Sequence, residues 1–245
     1  RRASEQNDVV VASIFVNPLQ FGPNEDYDKY PRALETDAQV AADAGVDIIF
    51  APSVDEMYPE GEPLIRISSG ELGNKFEGIT RPGHFDGVLT VVNKLFNIVR
   101  PAAGSHEVNA YFGQKDAQQV LLVQRMIHDF NHDITLRPVA IVRDDDGLAL
   151  SSRNEFLSEQ EREAALVISR TLALMRENSL NRGFESIDLE SARARINSTE
   201  GVRLDYLELV DPSNFQPPTA DSERVLALVA AYVGSTRLID NMDLL

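Results

Sequence analysis

The chain has 245 residues, 43% of them hydrophobic, no cysteine and a formal net charge of −16, with a pI near 4.6. Acidic charge scattered along the chain has the wrong sign for a protein held on phosphate backbones by counterion release, or on an anionic membrane surface. Without thiols there are no disulfides, thiolate metal sites or cysteine nucleophiles, a usage compatible with a reducing cytosol, and the apolar runs are too short to span a bilayer.

The length allows one large domain or two moderate ones. Val9–Val16 is apolar on both sides of the pleat and reads as a central parallel strand covered on both faces. The run stops at Asn17, Pro18, Leu19, Gln20, Phe21, Gly22 and Pro23. Residues 22–30 (GPNEDYDKY) hold turn formers and charge, as an exposed, mobile loop would. PRALETDAQVAADAGVDIIFAPS then predicts a helix, a stop and a second doubly buried strand, with Pro31 in the first turn and Gly45 as the left-handed residue after the last. Strand, helix, strand is the unit of a parallel α/β sheet.

Val88, Val91, Val92, Leu95, Phe96 and Val99 recur at helical spacing in GVLTVVNKLFNIVRP, with a stop at Pro101. NAYFGQKD predicts a short strand ending in a polar tip, AQQVLLVQRMIHDF a helix and DITLRPVAIVR a strand. After about Val142 the texture changes. A long amphipathic helix opens with the capping box of Ser158 and Glu161, DLESARARI follows as a second helix, and VRLDYLELVD and the region around Gly234 read as hairpin-like strands. The expected architecture is a Rossmann-like parallel α/β domain over 1–142, followed by a smaller α+β domain over 143–245.

In an open parallel sheet, ligands bind beyond the carboxyl ends of the strands. Asn17 and Gln20 fall there, as do Gly113, Gln114, Lys115 and Asp116, and so does DGLALSSRN; a convergent site is expected. Taken singly, each cluster has a plain alternative. Asn17 and Gln20 also suit a strand-end cap, GQKD a turn with a surface lysine, and LSSRN a helix approach rich in turn formers. Functionally, Gly113 lets a phosphate approach the backbone, Lys115 supplies a point charge, and Asp116 caps the helix or holds a ribose hydroxyl. The hydroxyls and guanidinium of Ser151, Ser152 and Arg153 suit phosphate oxygens. Of Gln118 and Gln119, about 100° apart on a helix, one suffices to face a cleft. His84 in RPGHFDG reads as a hydrogen-bonded structural histidine or an acid–base group. Asp144, Asp145 and Asp146 read as a turn ending at Gly147 rather than a metal site. Together, neutral glutamines beside a cationic, hydroxyl-lined cluster describe a triphosphate site next to a carboxylate-bearing substrate, which an acidic residue at position 20 would repel.

SIFVNPLQFGPNEDYDKYPR, RPGHFDGVLTVVNKLFNIVRP, YFGQKDAQQ, DGLALSSRN and TRLIDN, in that order over nearly the whole chain, resemble the pantothenate synthetases, ATP-dependent ligases that join pantoate to β-alanine. The resemblance implies a nucleotidylyltransferase-type Rossmann domain closed over by a small C-terminal lid. It places Gln20 on (R)-pantoate and β-alanine, Gln119 on pantoate, and Asn17 beside the same pocket. Gly113, Gln114, Lys115, Asp116, Val142, Leu150, Ser151, Ser152 and Arg153 would contact ATP, with Lys115 and Arg153 offsetting phosphate charge in catalysis. Mg²⁺ carried largely by the phosphates, a pantoyl-adenylate intermediate, a cytoplasmic location and a homodimer are implied too. The family's H-x-G-H motif, with its catalytic histidine, is expected upstream of NDVVVASIF, beyond Arg1. The stretch 102–109, with His106 and Glu107, is longer than the family's connection and is expected to have no catalytic effect.

Overall fold

The structure is a computed structural model that describes residues 1–23, 25, 27–30, 32–101 and 107–245. The chain forms an α/β fold of two compact units, residues 1–111 with 122–137, and residues 112–121 with 138–245.

In the first unit β1 (Val11–Ser13) runs parallel to β2 (Ile48–Phe50), with Val11 opposite Ile48. Helix α1 (Leu34–Asp43) connects them. It ends as Gly45 predicts: φ is +83° there, the Gly45 N–H donates to Ala42 O, and the Val46 N–H reaches Ala41 O, closing a Schellman motif. Pro31 lies outside the described residues. Two one-turn helices follow, α2 (Val54–Met57), opened by a capping box at Ser53, and α3 (Glu77–Thr80). Helix α4 (His84–Val99) buries Phe85, Val88, Leu89, Val91, Val92 and Phe96. It stops where Arg100 turns extended before Pro101, which disfavours helical backbone in the residue ahead of it.

The first two strands differ from expectation in length and cover. Hydrogen bonding makes β1 three residues of the expected eight, and Val9 and Ile48 are 61% and 53% exposed. A continuous apolar run records that a strand is apolar, not which of its faces has a neighbour. Of the loop at 22–30, Glu25, Tyr27 and Tyr30 are half-buried, where the composition suggests an open loop. Phe21 packs edge-on against Tyr27 and Tyr30, and Glu25 pairs with Arg81.

Strands β3 (Asn109–Gly113) and β4 (Thr135–Val139) form a two-stranded sheet joined through α5 (Ala117–Asp129). In the second unit, β5 (Val202–Val210), β6 (Leu226–Val233) and β7 (Thr236–Asp243) make an antiparallel sheet in that order. The stretch around Gly234 is a two-residue hairpin: Val233 pairs with Thr236, and Gly234 takes the positive φ of +56° that such a tight turn requires. Helix α6 (Glu159–Arg182) opens with the Ser158–Glu161 capping box and packs on β6 and β7, while α7 (Leu189–Asn197) packs on β5. Leu166, Leu172, Ile196, Leu207, Val229 and Val233 form the centre of this unit's core.

Candidate active site

In the first unit the polar break after β1 folds as a 3-10 turn, Pro18–Gln20, capped by the Asn17 side chain. Asn17 is buried, 2% exposed. Its Oδ1 accepts from Leu19 N at 3.3 Å and from the Tyr58 hydroxyl at 2.8 Å, while its Nδ2 donates to Gly87 O at 3.2 Å and to Gln20 Oε1 at 3.1 Å. The backbone groups settle which end is which, because a peptide N–H can only donate and a carbonyl can only accept. Nδ2 therefore faces Gln20, Gln20 presents its oxygen inward, and its Nε2 takes no partner among the described residues. Burial pushes the Tyr58 phenol up to about 12, so it stays a donor to Asn17.

The Gln20 main chain is held as firmly. Its carbonyl accepts from His84 Nδ1 at 2.8 Å and from Arg81 Nη2 at 3.4 Å. Arg81 Nη1 lies 3.0 Å from His84 Nε2 and, having no lone pair to offer, must be the donor. His84 is thus a neutral imidazole protonated on Nδ1, and burial first, then the adjacent Arg81 charge, push it down to about 4. Burial alone would raise the Glu25 carboxyl, but its hydrogen bonds and charge contact with Arg81 leave it below the ordinary value. At Gly87, a Cβ would stand 2.2 Å from Leu19 O, so only glycine lets α4 approach this turn so closely. His84 takes the structural role of its two sequence readings.

The second unit holds the GQKD and LSSRN clusters. Gln114–Asp116 form a 3-10 turn leading into α5. Gly113 needs no glycine for its own sake: φ is −70°, and a Cβ there would meet no atom within 4 Å. Ser151 caps a second 3-10 turn, Ser152–Phe156, its Oγ accepting from Arg153 N at 3.3 Å. Lys115 and Ser151 line one small surface pocket, together with Leu148, Ala149, Asn154 and Asp240 among others. Asn154 donates to Ala149 O, and its buried Oδ1 takes no partner among the described residues. Leu150 N bonds Val142 O at 2.9 Å, which brings those two exposed apolar residues side by side. Gln118 is buried and Gln119 half-buried, while Ser152 and Asp116 are exposed.

Asp144 and Asp146 stand in the expected turn, closed by Gly147 N on Asp144 O. Both carboxylates grip Arg162, and that hydrogen bond holds Asp146 below its ordinary value. His106 lies outside the described residues, and Glu107 pairs with Arg137 at 3.1 Å. Arg143, Asp240 and Asn241 went unnoticed as separate residues in the sequence. Asp240 and Asn241 are buried polar residues that follow the apolar pair Leu238 and Ile239.

Residues 1–243 match the family model described as pantoate-beta-alanine ligase. The chain belongs to this ligase family. Pantothenate synthetase of Paenarthrobacter aurescens (strain TC1) is 51% identical over 255 residues, spanning 100% of this chain and 86% of that protein. The Corynebacterium glutamicum (strain R) pantothenate synthetase is 49% identical, spanning 100% and 87%. The crystal structure of pantothenate synthetase from Thermus thermophilus superposes with a TM-score of 0.91 at 45% identity, over 99% of this chain and 86% of that one. Pantoate-beta-alanine ligase from Francisella tularensis, complexed with beta-gamma ATP and β-alanine, gives a TM-score of 0.78 at 39% identity, over 98% and 81%. The α/β architecture and the ligase assignment expected from the sequence are those of this pantoate–β-alanine ligase family.

Proposed function

We propose that the protein condenses (R)-pantoate with β-alanine in two steps driven by ATP. The pantoate carboxylate attacks the α-phosphorus, forming pantoyl adenylate and releasing pyrophosphate. The β-alanine amine then attacks the acyl carbon, loses a proton and displaces AMP as the amide forms. A free carboxylate resists amines because its leaving group would be oxide, whereas AMP leaves readily. The protein's part is positioning and charge neutralisation.

The observation that carries this reading is the cavity shared by Lys115 and Ser151, from two loops far apart in sequence. Lys115 and Arg153 would offset phosphate charge, while Ser151, Ser152, Gln114 and Asp116 would donate to or accept from the nucleotide. Gly113 would leave the main chain open to a phosphate, and the exposed pair Val142 and Leu150 would offer an apolar seat for the base. Gln20 would bind pantoate and β-alanine, and Gln119 pantoate. Asn17 would act from behind, since its hydrogen-bonding groups are engaged and its donor end sets the Gln20 amide. Mg²⁺ would ride on phosphate oxygens; among the described residues no group of three acidic or histidine side chains could hold a metal. No helix of the described residues is long and apolar enough to cross a membrane. A cytoplasmic location, a homodimer, and a division into residues 1–142 for substrates and 143–245 as a lid complete the reading.

The full-length protein should release pyrophosphate from ATP only with pantoate present, and AMP on adding β-alanine. Absence of pantoate-dependent pyrophosphate sinks the proposal. A stable adenylylated product with no amine requirement would point instead to another adenylyltransferase of this fold.

A further inference from the structure

We propose that Asn241, in the TRLIDN segment of β7, is a positioning residue that fixes the GQKD turn of the nucleotide site. The inference rests on assigning Gln114–Asp116 to that site. Asn241 is 5% exposed, and its Nδ2 donates to Gln114 O at 2.8 Å and to Lys115 O at 2.9 Å. An amide NH₂ has two N–H donors, and here both are spent on consecutive carbonyls of one turn. Two fixed carbonyls fix the peptide planes on either side of the Lys115 Cα, and with them the direction in which Lys115 leaves the backbone.

The strand end that carries Asn241 is itself locked. Arg143 grips Asp240 through both carboxylate oxygens, at 2.6 and 2.9 Å, and also donates to Asn241 O at 3.3 Å and Gly147 O at 3.1 Å. Arg143 begins the loop that leads to Leu150–Arg153 and bridges to Ala149. One Asp–Asn pair on β7 therefore ties down both loops of the cavity, and Leu238, Ile239 and Asp240 line that cavity beside Lys115 and Ser151. A turn held only by its own hydrogen bonds would let Lys115 sample several directions, and misplacement by about 1 Å is enough to cost ~100-fold in rate.

The test uses Asn241→Asp, nearly isosteric but presenting oxygen to the two carbonyls, beside Asn241→Ala, both in the full-length enzyme. Hydrogen exchange at the amides of residues 114–118 should quicken by about tenfold while α6 keeps its protection, the size of effect expected for a lost hydrogen bond. The KM for ATP should rise by about tenfold with the KM for β-alanine unchanged. On a Lys115→Ala background the Asn241→Ala effect on ATP should shrink to less than about twofold, because a residue acting through Lys115 has nothing left to position. Unchanged exchange at 114–118, or an ATP defect that multiplies in full on the Lys115→Ala background, overturns the inference. If Lys115→Ala impairs ATP use and Asn241→Ala does not, only the inference falls. If neither touches ATP use, the nucleotide-site assignment falls with it.

Discussion

Replacing Asn17 by aspartate tests whether the Gln20 amide is set from behind. The swap keeps the size of a buried side chain and an oxygen to accept from Leu19 and Tyr58. It places a second oxygen where Nδ2 now donates to Gln20 Oε1 at 3.1 Å and to Gly87 O at 3.2 Å. Facing acceptors repel, so Gln20 would turn its amide over and give Nε2 to the new carboxylate. The substrate carboxylate then meets an oxygen in place of a donor. A hydrogen bond to a charged group is worth ~1.5–3 kcal/mol, so kcat/KM for pantoate should fall by about 10- to 150-fold. Gly87 O lies within α4 and loses its additional donor from Asn17, which costs about 0.5–1.5 kcal/mol of stability. Pyrophosphate release with pantoate varied at saturating ATP, and the reverse, separates the two substrates: the pantoate constants should move and the ATP KM should not. Burial raises the new carboxyl's pKa, and its protonated form regains one donor, so the deficit should narrow as pH falls. Pantoate kinetics within about twofold of the parent, or ATP and pantoate constants falling together, would refute the reasoning.

Lys115→Ala should lower kcat/KM for ATP by the ~1.5–3 kcal/mol of a charged hydrogen bond; unchanged steady-state kinetics would remove Lys115 from the site. Gly113→Ala should leave the unfolding midpoint unchanged or slightly raised, since its φ is ordinary and its Cβ would meet nothing, while the ATP KM rises; a normal ATP KM would show that no phosphate approaches there. For His84 the folded value lies below the unfolded one, so its contribution is intact above about 6.5 and is lost as pH falls toward about 4. That difference amounts to roughly 3 kcal/mol at ~1.4 kcal/mol per tenfold. Urea unfolding should show the parent losing that much more than His84→Gln between those pH values, and parallel losses in the two proteins would contradict the neutral-imidazole assignment.

What could be read beforehand was local. The Ser158–Glu161 box, the left-handed Gly45 and the apolar face of α4 each depend on residues a few positions apart, whose geometry the helix itself imposes. The GQKD and LSSRN clusters are proposed for the nucleotide because their residue types suit phosphate wherever the chain puts them. The rest depends on partners distant in sequence. Tyr58 reaches Asn17 across 41 positions, and Asn241 reaches Gln114 across 127. No spacing rule reports such a pair.

The two backing residues share a chemistry that follows from what they must hold. Asn17 and Asn241 both serve carbonyl oxygens, of Gly87 in one unit and of Gln114 and Lys115 in the other. A carboxylate cannot donate to a carbonyl, a hydroxyl has a single hydrogen to give, and an ammonium would bring an unpaired charge into a buried place at a cost of several kcal/mol. Asparagine supplies two donors on a short stem with little rotamer freedom to lose. The charged groups proposed to meet phosphate, Lys115 and Arg153, are instead only half-buried, where water lowers the cost of carrying a charge without a bound nucleotide. Exchanging amide for carboxylate at either backing position should therefore harm the enzyme at least as much as truncating it to alanine, since repulsion is added to the lost bonds. At Lys115 truncation alone removes the whole contribution.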